Sequence, residues 1–166
     1  MFFTNKTISK FWDWYERHYA VNVGAVAILF LWQLTHLYWL TTAVVLKRLL
    51  GISYFHSSIF WQNLIIFVDY IEIPTHLAAM IIYLNSLRKK FNWKSVWLLV
   101  FLNLHWLHIF WITDEFVVNQ FSGYEQIILP AWLAWIAIAI DYLEVPVILD
   151  TSREFYKSLR KKFANS

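Results

Sequence analysis

Eight ionisable side chains stand inside stretches that are otherwise almost wholly apolar: His36, Asp69, Glu72, His76, His105, His108, Asp141 and Glu144. Asp69, Glu72 and His76 are three and four residues apart, His105 and His108 three, and Asp141 and Glu144 three. On a helix, each group therefore shares one face. Neutral imidazoles and carboxylates are ordinary ligands of zinc, iron and manganese. A divalent ion also offsets buried acids where no basic side chain is at hand, and the middles of these stretches hold no Lys or Arg. The expected metal set is His36, Glu72, His108 and Glu144, extended by His76 and His105. Asp69 and Asp141 are expected as further ligands, as partners that orient imidazoles, or as proton carriers in catalysis.

These side chains need elements that can hold them away from lipid. Of 166 residues, 60% are hydrophobic and 15% charged, and the mean hydropathy is +0.48. A soluble domain is about 45–50% apolar and about 25% charged, so that class is excluded, as is disorder. Absent cysteine removes disulfides, thiolate metal sites and c-type haem attachment. A span needs about 20 mostly apolar residues, and residues 22–46, 58–87, 93–118 and 126–149 qualify. The expected fold is an all-α integral membrane protein, a bundle of four transmembrane helices. An ionisable group at mid-membrane costs about 2.5–3.5 kcal/mol on insertion scales, so all eight must face inward.

Basic residues predict the orientation. Lys6, Lys10 and Arg17 precede the first span, Arg88, Lys89, Lys90 and Lys94 fill the second loop, and Arg153, Lys157, Arg160, Lys161 and Lys162 follow the fourth. Both termini are expected in the cytoplasm of a plasma or inner-membrane protein. These runs flank spans, so they read as topology signals and not as a nucleic-acid surface. Residues 1–20 mix charges with Phe11, Trp12, Trp14 and Tyr15. They read as an amphipathic helix lying in the membrane interface.

Shifted by 72 residues, the chain matches itself without a gap. Asp69–Pro74 falls on Asp141–Pro146, Ser86–Phe91 on Ser158–Phe163, and His36, Trp39 and Thr41 on His108, Trp111 and Thr113. The chain thus divides into an N-terminal segment 1–20 and two helical-hairpin repeats, 21–92 and 93–166, in one membrane domain. Parallel repeats imply a pseudo-two-fold axis along the membrane normal. At about 1.5 Å per residue, His36, Glu72, His108 and Glu144 are expected in one layer. His76 and His105 are expected a turn nearer the cytoplasm, and Asp69 and Asp141 a turn farther out. Pro74 and Pro146 should free the carbonyls of Tyr70 and Tyr142.

Several functions fit these residues. One is a membrane metalloenzyme, redox or hydrolytic, with a mono- or dinuclear iron or zinc site acting on a lipid-soluble substrate. A b-type haem ligated by His36 and His108 is another. In outline, four spans with inward His and Glu and many aromatics resemble the small isomerases of the emopamil-binding type. That resemblance implies metal-free acid–base chemistry on a sterol-like or isoprenoid substrate. Proton or cation transport is a fourth, for which four short spans would need a homodimer. The partners expected are the bilayer and a hydrophobic small molecule.

Overall fold

The computed structural model describes residues 6–52, 54, 58–112 and 131–164. Among these every regular element is a helix. Helix α1 is Lys6–Arg17 and α2 is Tyr19–Trp39, which continues through a π-helical stretch, Leu40–Val45, into α3, Leu46–Leu50. Then come α4, Ile59–Lys89, α5, Trp93–Ile112, α6, Ala131–Tyr142, and α7, Glu144–Ala164. Three stretches are long and apolar enough to cross a membrane: Tyr19–Leu50, Ile59–Lys89 and Trp132–Lys161. The expected third span is described as backbone to Ile112. Its remainder and the first residues of the expected fourth lie outside the described residues.

Local chemistry sets the helix ends. His18 leaves helical geometry between α1 and α2, and its Nδ1 donates to the Trp14 carbonyl at 2.9 Å. In the π-helical stretch Thr41 and Thr42 donate to the carbonyls of Leu37 and Tyr38, four residues back, at 2.7 and 2.8 Å. Such back-bonding competes with the ladder and bends helices. Gly51 ends α3 at φ 72°, in the left-handed cap that glycine adopts without penalty. Ser58 caps α4 by accepting from the Trp61 amide, and Asn92 accepts from the Ser95 amide at 2.7 Å to start α5. Helix α4 passes unbroken through Pro74. Helices α6 and α7 are separated by a turn at Leu143, so Pro146 falls in the first turn of α7, where its missing N–H costs least.

Helix α2 turns Val23, Val26, Phe30, Gln33 and Leu37 inward, a stripe of three- and four-residue steps that Leu40 of the π-helical stretch continues. It packs on α4 and α7, α4 on α5, and α5 on α6 and α7. The apolar core adds Ala79, Ile82, Tyr83, Leu98, Leu102, Ile138, Val147 and Ile148. Gly24 lets α2 and α7 approach closely: a Cβ there would lie 2.6 Å from the Phe155 ring. The outer faces are apolar as well, with Ile28, Leu31, Trp32, Phe67, Leu77, Leu84, Trp97, Trp132 and Leu149 all exposed. The buried polar side chains therefore sit within a shell of apolar residues on both sides.

Helix α1 is tied to the basic end of the bundle. Glu16 accepts from Lys89 at 2.5 Å and from Arg88 at 3.2 Å, and the Arg88 guanidinium lies over the Trp12 ring. Its outward face carries Ile8, Phe11 and Trp14 beside Lys6, Lys10 and Arg17.

Candidate metal centre

Five helices deliver the polar core. Helix α2 supplies Gln33 and His36, α4 supplies Asp69, Glu72 and His76, α5 supplies His105, α6 supplies Asp141 and α7 supplies Glu144. All are buried, the most accessible being Asp69 at 7%. His108 lies on the described backbone of α5, but its side chain is outside the described residues.

Glu72, His76 and His105 converge, with one ligand atom from each lying within 4.8 Å of the others. The Glu72 carboxylate sits 2.5 Å from His105 Nε2 and 3.7 Å from His76 Nε2. The two imidazole centroids are 4.9 Å apart. His76 Nδ1 lies 3.0 Å from the Glu72 carbonyl. A carbonyl only accepts, so Nδ1 carries a proton and Nε2 is the nitrogen that faces the carboxylate. A carboxylate facing two imidazole nitrogens can share a proton with them or hold a metal ion with them.

The two Glu72 spacings lie near those an ion needs. Donors about 2.0–2.1 Å from a tetrahedral metal stand about 3.4 Å apart. Closing on such an ion would open the Glu72–His105 contact by about 0.9 Å and shorten Glu72–His76 by about 0.3 Å. Changes of this size are within the reach of a χ rotation. Phe30 meets His76 edge-on at 6.1 Å and walls the inner side.

A second group adjoins the first. His36 Nδ1 donates to Asp69 at 2.5 Å, and His36 Nε2 faces Asp141 Oδ2 at 3.8 Å. The other Asp141 oxygen, Oδ1, lies 3.6 Å from His105 Nε2. Glu144 is buried within the electrostatic reach of Glu72, His36, Asp141 and Asp69. Its Oε1 has no hydrogen-bond partner among the described residues. Gln33 donates to the Val68 carbonyl at 3.0 Å, holding α2 against α4 one turn from His36. Trp39 leans on the His36 ring at 5.7 Å.

The straight-helix layering differs from these contacts. His36 meets Asp69 and Asp141, and His105 meets Glu72, although each pair was expected about a turn apart in height. Two side chains reaching toward each other can close the about 5.4 Å of one turn, so Cα height does not set ligand height. Aromatic contacts from Phe30 and the bond between Thr41 and the Tyr142 hydroxyl at 2.6 Å carry no spacing signal that the sequence reading used. Phe30 lies six residues and Thr41 five from His36, and Tyr142 adjoins Asp141, so none stands at the three- or four-residue step from these residues that marks a shared helix face.

Comparison with known proteins gives no match to a family model, a curated protein or a solved structure.

Proposed function

We propose that this chain is an integral membrane metalloprotein whose ion is held by Glu72, His76 and His105. The observation that carries the reading is the convergence of one carboxylate and two imidazoles from two helices, buried and within 4.8 Å of one another. Two histidines and one carboxylate with open positions are how proteins hold non-haem iron for oxygen chemistry. The same donor set holds zinc for activating water. The finer reading is a redox or hydrolytic enzyme acting on a hydrophobic small molecule that arrives through the bilayer. The apolar outer faces support a membrane setting, the 72-residue self-match supports a duplicated four-span bundle, and the basic residues before the first span, in the second loop and after the fourth support cytoplasmic termini. A haem at His36 is disfavoured, because the Asp141 carboxylate stands 3.8 Å from Nε2, on the side where haem iron would bind.

Elemental analysis of the detergent-purified protein tests the reading. Bound iron or zinc that is lost in His105→Ala and in Glu72→Gln supports it. A metal-free preparation that takes up neither ion refutes it.

A second reading rests on the 2.5 Å contacts of His105 with Glu72 and of His36 with Asp69. Imidazole–carboxylate pairs this close can hold and pass protons unaided, as metal-free isomerisation of a sterol-like or isoprenoid substrate, or proton transport, would require. Turnover or proton flux that survives exhaustive chelation would favour it.

A further inference from the structure

Helix α5 turns a polar side chain outward at mid-length. Asn103 is exposed, ten residues after Trp93 and nine before Ile112. At about 1.5 Å per residue it stands about 15 Å from the start of α5, half-way through a hydrocarbon core about 30 Å thick. Among the described residues no other amide is exposed so far from a helix end; Asn63, also exposed, lies four residues from the start of α4. Asn103 Nδ2 donates to the Leu99 carbonyl at 2.7 Å, which uses one N–H of the amide. The second N–H and Oδ1 have no partner among the described residues. Lipid tails offer neither donor nor acceptor, so polar groups left open at this depth call for a protein partner.

The surface around Asn103 suits close packing. An apolar groove of about 420 Å³ lies between α4 and α5, lined by Leu87 of α4 and by Val96, Leu99, Val100, Asn103 and Leu104 of α5. Along α5 the exposed residues Trp93, Trp97, Val100, Leu104 and Leu107 follow one another at steps of four, three, four and three. That is the seam spacing of two helices crossing at about 20°. None of the five is charged, and Lys94 turns away from them to pair with Asp150 of α7.

A second copy of this chain meets each of these needs. Two copies related by a two-fold axis along the membrane normal carry Asn103 at the same depth. An amide is both donor and acceptor, so two Asn103 side chains facing across the axis complete each other: the open N–H of each donates to Oδ1 of the other. Such a contact is isologous and closes at two. An acyl chain would fill the groove and leave the amide open.

We propose that the outer face of α5 around Asn103 is a homodimer interface, with the two amides paired at its centre and the groove beside them filled by apolar side chains of the second copy. This inference rests on the membrane setting of the proposed function and not on its metal.

The test uses the full chain, which lacks cysteine. Sedimentation equilibrium in detergent is expected to show a dimer for wild type and association about tenfold weaker for Asn103→Leu, which keeps the size of the side chain and removes its polarity. In vesicles, Val100→Cys is expected to form a disulfide-linked dimer on oxidation, and Leu31→Cys, on the outer face of α2, is not. Val100→Cys keeps Asn103, so it carries the test should Asn103→Leu fail to fold. A wild type that is monomeric in detergent with no cross-link through Val100→Cys overturns the interface. So does equal association of wild type and Asn103→Leu, or cross-linking through Leu31→Cys in place of Val100→Cys. A lipid or other hydrophobic molecule that copurifies with a monomeric wild type and is lost in Asn103→Leu assigns the groove to that ligand and also overturns it. In each of these cases the membrane reading stands if the chain stays with the vesicles through an alkaline carbonate wash. A chain that the wash releases overturns both.

Discussion

Metal added to the purified protein should raise its thermal midpoint, and removing one ligand should remove the rise. An ion that binds only the folded state stabilises it by RT ln(1 + [L]/Kd), about 4.1 kcal/mol when free metal is a thousandfold above Kd. For a domain of about 150–250 residues each kcal/mol moves the midpoint by about 2–4 °C, so the expected rise is about 8–16 °C. The structure says which variants lose it. Glu72 is the shared member of the cluster, 2.5 Å from His105 and 3.7 Å from His76, so Glu72→Gln removes the only charge among the three ligands. Each tenfold loss of affinity removes about 1.4 kcal/mol, about 3–6 °C on the same scale. A thousandfold loss leaves almost no shift. Asp150→Asn is the control: Asp150 is also buried but pairs with Lys94, away from the cluster, and the full rise should persist. The assay is a thermal scan in detergent with and without zinc or iron(II), each after chelation. An unmoved wild-type midpoint with both ions, or a rise of equal size in Glu72→Gln, refutes the reasoning.

Three further outcomes are expected. Gly24→Val drives side-chain atoms into the Phe155 ring, which a single Cβ would already approach to 2.6 Å. Overpacking of this kind costs about 1–3 kcal/mol; denaturation in detergent should show the loss, and a Phe155→Ala background should recover part of it. Burial pushes the Glu16 carboxyl up, but hydrogen bonds from Lys89 and Asn85 and the charges of Lys89 and Arg88 outweigh it and hold the group below the usual carboxylate range. A lowered folded value means that its contribution is present above that range and is lost as pH falls through it, and for a part-exposed pair it is under about 1 kcal/mol. Faster amide exchange in α1 of Glu16→Gln than of wild type should therefore be seen at pH 7 and vanish below about pH 4. Because the chain lacks cysteine, Lys90→Cys and Leu49→Cys can be labelled singly in sealed vesicles. They should react from opposite faces, and labelling of both from one side counts against a span at Ile59–Lys89.

Helix faces were the most legible feature of the site. Asp69, Glu72 and His76 share a face because their spacing follows the helical period, and burial of all three agrees. Ring orientation was not legible. The proton on His76 Nδ1 is fixed by the Glu72 carbonyl, and the one on His36 Nδ1 by Asp69. Such choices depend on where a neighbouring helix stands, which spacing within one helix does not report. The two prolines show the same limit. Both follow a glutamate by two residues, yet α4 continues through Pro74 while α6 and α7 part at Leu143. One local signal gave two backbones, decided by packing. The π-helical stretch at Leu40–Val45 left only the Thr41–Thr42 pair as its trace.

The ligand set explains why the chain can match itself at 72 residues and still hold a one-sided site. Under that shift Glu72 pairs with Glu144 and Asp69 with Asp141, but His76 pairs with Ile148 and His105 with Gln33. The two imidazoles nearest Glu72 are thus the two that the matching positions lack. Those positions took up structural work: Ile148 fills the apolar core, and Gln33 ties α2 to the Val68 carbonyl of α4. Glu144 is left facing the centre without imidazoles like those around Glu72, and the nearest histidine Nε2 to Asp141 on that side belongs to His36, 3.8 Å away. One half of the self-matching sequence thus carries the imidazoles that could hold an ion, and the other carries side chains that pack the helices together.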